Sequence, residues 1–167
     1  MGDVVPVGSG SPPSYYAALV AAGWKPVTLL ASATYTDAEI NAVKATVAGL
    51  GWAKQAMILL DLTDADTAAG DTLDVYIDTS PDEGSTWVNA IHFTQILGNG
   101  ADALKFWAVL DPGGAPGTSV IAATSDAAAG VVRPSMFCDR LQVRHTVVDA
   151  GGGTQSFIYS VAAFLKA

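Results

Sequence analysis

Charged residues and cysteines are scarce in this sequence. Only 14% of its 167 residues are charged, while half are hydrophobic. The one cysteine, Cys138, has no second thiol with which to form a disulfide, which excludes a disulfide-stapled secreted scaffold. No apolar run is long enough for a membrane-spanning helix, and the first residues lack the pattern of a signal peptide. We therefore expect a protein that is made in the cytoplasm and has no membrane partner.

Basic residues are also few. Sixteen acidic residues outnumber eight lysines and arginines, giving a net charge of −8. Binding to nucleic acid needs clustered basic side chains, and only Arg140 and Arg144 lie close together in sequence. We expect no nucleic-acid partner. The low charge leaves two interpretations open. Either the protein buries apolar surface against partners, or its abundant alanine and valine residues raise the hydrophobic content without forming an exposed patch.

Two segments are rich in glycine and proline. The first lies within residues 1–26. We interpret these residues as an N-terminal arm that carries Tyr15, Tyr16 and Trp24 as candidate partner contacts. Part of this arm is either a short helix or a segment that packs on a neighbouring molecule. The second is residues 111–135, a long loop of a kind that is usually functional or in contact with something.

Alternating apolar and polar residues predict about eight short strands in residues 27–167. In DTLDVYIDT, apolar residues alternate with polar ones, which predicts a half-buried strand. AMILLDL, residues 56–62, is apolar on both faces, so it is either covered twice or meets another subunit. The predicted fold is a single-domain, all-β, antiparallel β-sandwich, and both jelly-roll and immunoglobulin-like topologies fit.

Residues 36–50 carry conflicting signals. Thr36 and Glu39 match a capping box, and the apolar residues that follow have helical spacing. The same segment fits a strand with Val43 and Val47 on one face. We favour the strand because the surrounding chain is all-β.

The stretch SPDEGSTW, which begins at Ser80, matches the Asp-box turn of β-hairpins. Asp82 is expected to accept hydrogen bonds from backbone amides, and Gly84 to adopt a conformation closed to most side chains. Trp87 shares the parity of Ile91 and is expected to pack beneath the turn. A sialidase propeller would need repeated boxes, and this chain has one, so the motif predicts a structural turn.

No set of side chains indicates catalysis. Nucleophile-elbow and phosphate-loop motifs are missing, and we expect His92 and His145 to be structural. Four acids have the right chemistry for calcium but not the spacing of an EF-hand, so a solvated loop is the favoured interpretation: Asp61, Asp64, Asp66 and Asp71. The sequence therefore predicts no enzyme activity, no metal and no cofactor.

The order of four segments carries a family likeness: TLLASATYT, AMILLDLTDAD, DTLDVYIDTSPDEGSTWVNAIHFTQILG and LQVRHTVVDAGGGTQSFIYSVAAF. It resembles small β-sandwich proteins of tailed-bacteriophage virions, of the head-decoration or minor structural kind. Residues 71–98 carry most of the likeness, whereas residues 36–50 and the loop 111–135 depart from it. The resemblance implies a non-enzymatic protein of the virion, made in the host cytoplasm. It also implies that the protein binds the major capsid protein and self-associates, with a trimer as one expected form.

A second class of function stays open. A carbohydrate-binding β-sandwich of a phage tail or fibre would use exposed aromatic side chains as sugar platforms, with Trp52, Trp87 and Trp107 as candidates. The parity of Trp87 argues instead for core packing.

Overall fold

The computed structural model describes residues 15–65, 68–98, 101–113, 126–150 and 156–167. Within these residues the chain forms one short helix and ten strands. They are α1 (Tyr15–Ala21), β1 (Lys25–Tyr35), β2 (Glu39–Val47), β3 (Gln55–Ala65), β4 (Thr72–Ser80), β5 (Val88–His92), β6 (Ile96–Leu97), β7 (Ala101–Leu110), β8 (Val131–Val132), β9 (Arg140–Val148) and β10 (Phe157–Lys166).

The strands form two antiparallel sheets. Sheet A has the order β1-β10-β3-β7, and sheet B has the order β2-β9-β4-β5-β8, with β6 paired to β4. The predicted all-β sandwich is thus confirmed.

The strand order selects the jelly-roll topology. When the eight long strands are numbered in sequence, the first pairs with the eighth, the second with the seventh, the third with the sixth and the fourth with the fifth. This nested pairing, distributed over two sheets, is that of a jelly roll. An immunoglobulin-like sandwich lacks this nesting, so the choice that the sequence left open is settled.

The core lies between the two sheets. Along β3, Ile58, Leu60 and Leu62 are buried, while Met57 and Leu59 on the other face are only half-buried. The two apolar faces of β3 therefore lie in different environments. One face fills the core, and the other contributes to the outer surface of sheet A.

Strand β4 is buried on both faces, so the prediction of a half-buried strand is wrong. Its inner residues face the core, and the outward Asp74, Tyr76 and Asp78 are also buried. Their cover comes partly from Asp126 and Ala127, which contact the outer face of sheet B.

Residues 39–47 are a strand, as favoured from the sequence. The expected common face for Val43 and Val47 is wrong, because the register shifts between Val43 and Ala45. Val43 pairs with Arg144 on the outer face and is 56% exposed. Glu39 bonds to a histidine and a lysine rather than capping a helix.

The N-terminal segment is in part a helix. In α1 the Tyr16 ring packs edge-on against Phe164 of sheet A, with ring centroids 5.2 Å apart. Strand β1 begins at Lys25, two residues before the predicted start of the sandwich at residue 27. None of the helices in the described part of the chain is long and apolar enough to cross a membrane.

Candidate functional site

The Asp-box turn connects β4 to β5 through a set of short hydrogen bonds. The Ser80 hydroxyl accepts from the Gly84 amide at 2.7 Å and donates to Asp82 Oδ1 at 3.0 Å. The same Asp82 oxygen accepts from the Thr86 amide at 2.7 Å. Hydrogen bonds from the side chain and backbone of Thr86 hold the pKa of Asp82 below its ordinary value. Gly84 has φ of 95°, a left-handed conformation that other residues rarely adopt.

Trp87 does not lie where its parity in the sequence predicted. Ile77 pairs with Ile91, but Asp78 pairs with Asn89, so one residue is inserted into β5 as a β-bulge. A bulge reverses the alternation of side chains along a strand. Trp87 is therefore half-buried on the outer side of sheet B, in line with Asn89, and the prediction that it packs with Ile91 is wrong.

A buried ion pair occupies the centre of this outer face. Arg144 Nε donates to Asp78 Oδ2 at 2.9 Å, and its Nη2 donates to Asp78 Oδ1 at 3.2 Å. Arg144 also donates to Asp126 Oδ1 at 2.6 Å and to Asn41 Oδ1 at 2.5 Å. Burial by itself lowers the pKa of Arg144, but hydrogen bonds to Asp78 and Asp126 outweigh it and raise the pKa above its ordinary value.

Asn89 ties the neighbouring loop to the sheet. Its Nδ2 donates to Asp78 Oδ1 at 3.0 Å, and its Oδ1 accepts from the Ala127 amide at 2.9 Å. Arg133 Nη1 donates to the Asn89 carbonyl at 2.9 Å. The C-terminal part of the predicted loop 111–135 is thus hydrogen-bonded to the outer face of sheet B. It also contributes β8, which pairs with β5.

The side chain of His92 extends this polar layer. Its Nε2 lies 2.8 Å from Asp74 Oδ1, and its Nδ1 lies 2.8 Å from the Ala127 carbonyl. Its ring stacks on Tyr76 at 4.2 Å between centroids, and the Arg144 guanidinium lies 4.2 Å from the Tyr76 ring centre. Both ring nitrogens of His92 have partners and its ring is stacked, which is typical of a structural histidine.

Together these residues surround a cleft of about 390 Å³ on the outer face of sheet B. It is lined by Asn41, Asp78, Trp87, Asn89, Asp126, Gln142 and Arg144. We call it the sheet B cleft. The cleft therefore combines a hydrogen-bonded polar floor with a tryptophan side chain.

A sequence signal exists for these residues, but it predicts that they face solvent. Asp78 on β4 and Arg144 on β9 each occupy the polar parity of an alternating strand. Such alternation is typical of an exposed face. The burial comes from a loop that contacts the sheet through Asp126, which no local pattern predicts.

A second polar cluster lies between the sheets around His145. Tyr159 Oη lies 2.7 Å from its Nδ1, and Glu39 Oε2 lies 2.5 Å from its Nε2. Because the Glu39 carboxylate can only accept, the neutral imidazole carries its proton on Nε2 and accepts from Tyr159. Tyr35 packs edge-on against the imidazole, and Lys44 forms an ion pair with Glu39.

This cluster should make stability fall in weak acid. Burial lowers the pKa of His145 below its ordinary 6.5, so below that pH the unfolded chain binds more protons than the folded one. Hydrogen bonds from Lys44 and then His145 hold the pKa of Glu39 below its ordinary 4.5, which adds a further loss below that value. We expect the free energy of unfolding, measured with urea, to decrease as pH falls below 6.5.

A matched variant isolates the histidine. His145→Gln keeps a neutral hydrogen-bonding side chain, so its stability should be flatter with pH than that of the wild type between pH ~8 and ~5. Parallel curves for the two proteins would mean that His145 does not cause the loss.

The candidate partner contacts from the N-terminal segment lie beside sheet A. Tyr15 begins α1, and Tyr16 is 52% exposed. Trp24 is half-buried, with Lys166 Nζ 5.6 Å from its ring centre. Phe164 is also 6.0 Å from Trp107, measured between ring centroids. Around Phe164 the outer face of sheet A carries an apolar surface, the sheet A patch: Tyr16, Val20, Met57, Leu59, Trp107 and Val109.

The remaining candidates lie apart. Trp52 is exposed, with Lys25 Nζ 4.8 Å from its ring centre. Of the four acids considered for calcium, Asp61 pairs with Lys105, Asp71 is buried with its Oδ1 accepting from Ala150, and Asp66 lies outside the described residues. The described ranges contain no group of three or more histidine, cysteine or acidic side chains able to hold a metal.

The fold and its surfaces define a jelly-roll sandwich with a polar cleft on one sheet and an apolar patch on the other. No protein-family model and no curated protein matches this sequence.

A solved structure shares the fold. The VP2 subviral particle of infectious bursal disease virus has a chain with a TM-score of 0.50 and 10% identity, covering 86% of this chain and 32% of that chain. A structure of the Gx strain of that virus has a TM-score of 0.49 and 10% identity, covering 85% of this chain and 32% of that one. This chain therefore spans about a third of the length of those chains, and the likeness concerns the fold alone.

Proposed function

We propose that this protein is a non-enzymatic structural protein of a virion. More specifically, we propose a capsid decoration or cement protein that binds and stabilises the lattice of a major capsid protein. The observation that carries the proposal is the sheet A patch on a jelly-roll fold. The solved structure that shares this fold at a TM-score of 0.50 comes from a subviral particle, which supports the same class of role.

The patch is continuous across neighbouring strands. Val109 pairs with Met57, which pairs with Phe164, and in the next row Trp107 pairs with Leu59. These side chains stand side by side on the outer face of sheet A. An exposed apolar surface of this kind on a folded domain is typical of a protein–protein contact.

Decoration uses many such contacts at once. Each contact needs only modest affinity when neighbouring contacts on the lattice are held in place as well, because linked contacts raise the overall binding constant through effective concentration. A patch with aromatic side chains at its centre suits this role, since aromatic residues dominate the energetics of interfaces. The helix α1 extends the patch through Tyr16 and Val20, so the proposed lattice contact includes the predicted N-terminal segment.

The proposal is tested by placing a charge in the patch. Val109→Glu changes an exposed side chain of β7 and should reduce binding to undecorated capsids of the source virus by at least about tenfold, equal to ~1.4 kcal/mol. Binding is measured by co-sedimentation with increasing protein concentration. Ile40→Glu is the matched control, because Ile40 is 81% exposed on sheet B, and it should bind like the wild type.

Three further results decide between forms of the proposal. Equal loss in both variants would exclude the patch as the contact. Sedimentation velocity of the wild type and Val109→Glu shows whether the same patch also forms a trimer or another self-associated state. Mass spectrometry of purified particles gives the copy number, which distinguishes a lattice-wide decorator from a minor component.

A further inference from the structure

We propose that the sheet B cleft is a binding site for a neutral saccharide. Its volume of about 390 Å³ lies within the range of ~300–1,000 Å³ typical of small-molecule sites. The inference does not depend on the capsid role, because it rests on the opposite sheet and on different residues.

The floor of the cleft is held together by hydrogen bonds within the protein. All five N–H groups of Arg144 are used: one by Asn41 and two each by Asp78 and Asp126. Asn89 in turn holds Asp78 and the Ala127 amide. Because these hydrogen bonds are made within the protein, little ordering entropy is lost when a ligand binds.

The charge balance disfavours an anion. Two carboxylates, Asp78 and Asp126, face a single guanidinium, and that guanidinium has no N–H left to donate. A phosphate, sulfate or acidic sugar would meet excess negative charge. Neutral hydroxyl groups, which both donate and accept, fit oxygen and amide groups of this kind.

Gln142 supplies the polar group most clearly directed at a ligand. It is 8% exposed and lines the cleft, yet among the described residues its amide makes a single long hydrogen bond, 3.4 Å from Nε2 to Asp78 Oδ2. Its Oε1 and its second N–H have no hydrogen-bond partner in the described ranges. Because these amide atoms are not sealed from solvent, hydroxyl groups of a ligand can replace water as their hydrogen-bond partners in the cleft.

Two more groups at the rim add to this set. Asn41 Nδ2 has no hydrogen bond within the part of the chain that is described, and the Asp126 side chain is 43% exposed with lone pairs beyond those used by Arg144. Together with Gln142 they offer donors and acceptors on two sides of the cleft.

Trp87 supplies the apolar wall. Its Cζ2 edge lies next to Gly84 of the Asp-box turn, and the residue also lines the cleft. The C–H groups on one face of a pyranose ring pack well on an indole, while hydroxyls at the ring edge reach the amides beside it. The bulge in β5 places Trp87 beside the polar groups of the cleft, because without the inserted residue Trp87 would point into the core.

The test is titration of the full chain with neutral sugars. The probes are glucose, galactose, mannose, N-acetylglucosamine and their oligosaccharides, and glucuronic acid and sialic acid serve as anionic comparisons. We expect saturable binding of at least one neutral probe, seen as a change in tryptophan fluorescence and by calorimetry. Binding of that probe should weaken at least about tenfold in Trp87→Ala and in Gln142→Met, a loss of ~1.4 kcal/mol.

Controls separate binding from folding. Trp107→Ala removes a tryptophan from the sheet A patch and should leave the affinity unchanged. Thermal melts and circular dichroism show whether each variant is folded, and Gln142→Met keeps the length of the side chain if Trp87→Ala does not fold. The proposal is overturned if no neutral probe saturates at millimolar concentration, if the acidic sugars bind more tightly, or if folded Gln142→Met binds like the wild type.

Discussion

Replacing Asp78 with alanine is expected to destabilise the protein by about 3–5 kcal/mol, because it leaves a buried arginine without its main partner. The Arg144 side chain is 12% exposed and that of Asp78 is 4% exposed, so water does not compensate for the lost carboxylate. Asn89 loses an acceptor in the same change. The free energy of unfolding is measured by urea denaturation, with the m-value checked for a change in the unfolding mechanism.

The control for this prediction removes another carboxylate from the same guanidinium. Asp126 bonds to Arg144 from the rim, where solvent screens the pair, so Asp126→Ala should cost no more than about 1 kcal/mol. Equal losses for Asp78→Ala and Asp126→Ala would contradict the interpretation of Asp78 and Arg144 as a desolvated pair.

Replacing Phe164 with alanine should cost about 3–5 kcal/mol, the usual range for deleting a buried aromatic side chain. Phe164 is fully buried although it belongs to the outer face of sheet A, because the helix α1 and Trp107 cover it. The variant should therefore also release α1 from the sheet. Amide hydrogen exchange of residues 15–21 measures that release, and urea denaturation measures the stability.

Two milder variants show which contact matters. Phe164→Leu keeps much of the apolar volume and should lose less stability than the alanine variant. Tyr16→Ala leaves Phe164 in place and removes the edge-on ring contact, which is worth about 0.5–1.5 kcal/mol beyond the area that the ring buries. If exchange in α1 stays slow in Phe164→Ala, the helix does not depend on this ring for its position.

The sandwich itself was predictable from the sequence because its signals are local. Alternation marked the strands around residues 72–80 and 140–148, and the all-β context correctly outweighed the capping-box pattern at Thr36. The jelly-roll order was not predictable, because nothing in the sequence of a strand specifies which distant strand it pairs with.

The cleft was hidden from the sequence for two physical reasons. Asp78 and Arg144 are 66 residues apart, so their pairing depends on strand register rather than on any motif. The bulge at Ala90 then reverses the side to which Trp87 points, and a parity rule has no means of detecting one inserted residue. The sequence thus predicted that Asp78 and Arg144 face solvent and that Trp87 lies in the core. In the structure the first two form the covered floor of the cleft, and Trp87 forms its aromatic wall.

The nested pairing also has a kinetic consequence for the Asp-box turn. Among the long strands that pair in the described residues, β4 and β5 are neighbours in sequence, whereas β1 and β10 join Lys25 to Leu165. The entropy lost on closing a loop grows with its length, so the β4–β5 pair costs least to form and the outermost pair costs most. Folds dominated by distant pairings form slowly. The hydrogen bonds of Ser80 and Asp82 therefore close the shortest loop of the nested series, and each later pairing must bring together more distant parts of the chain.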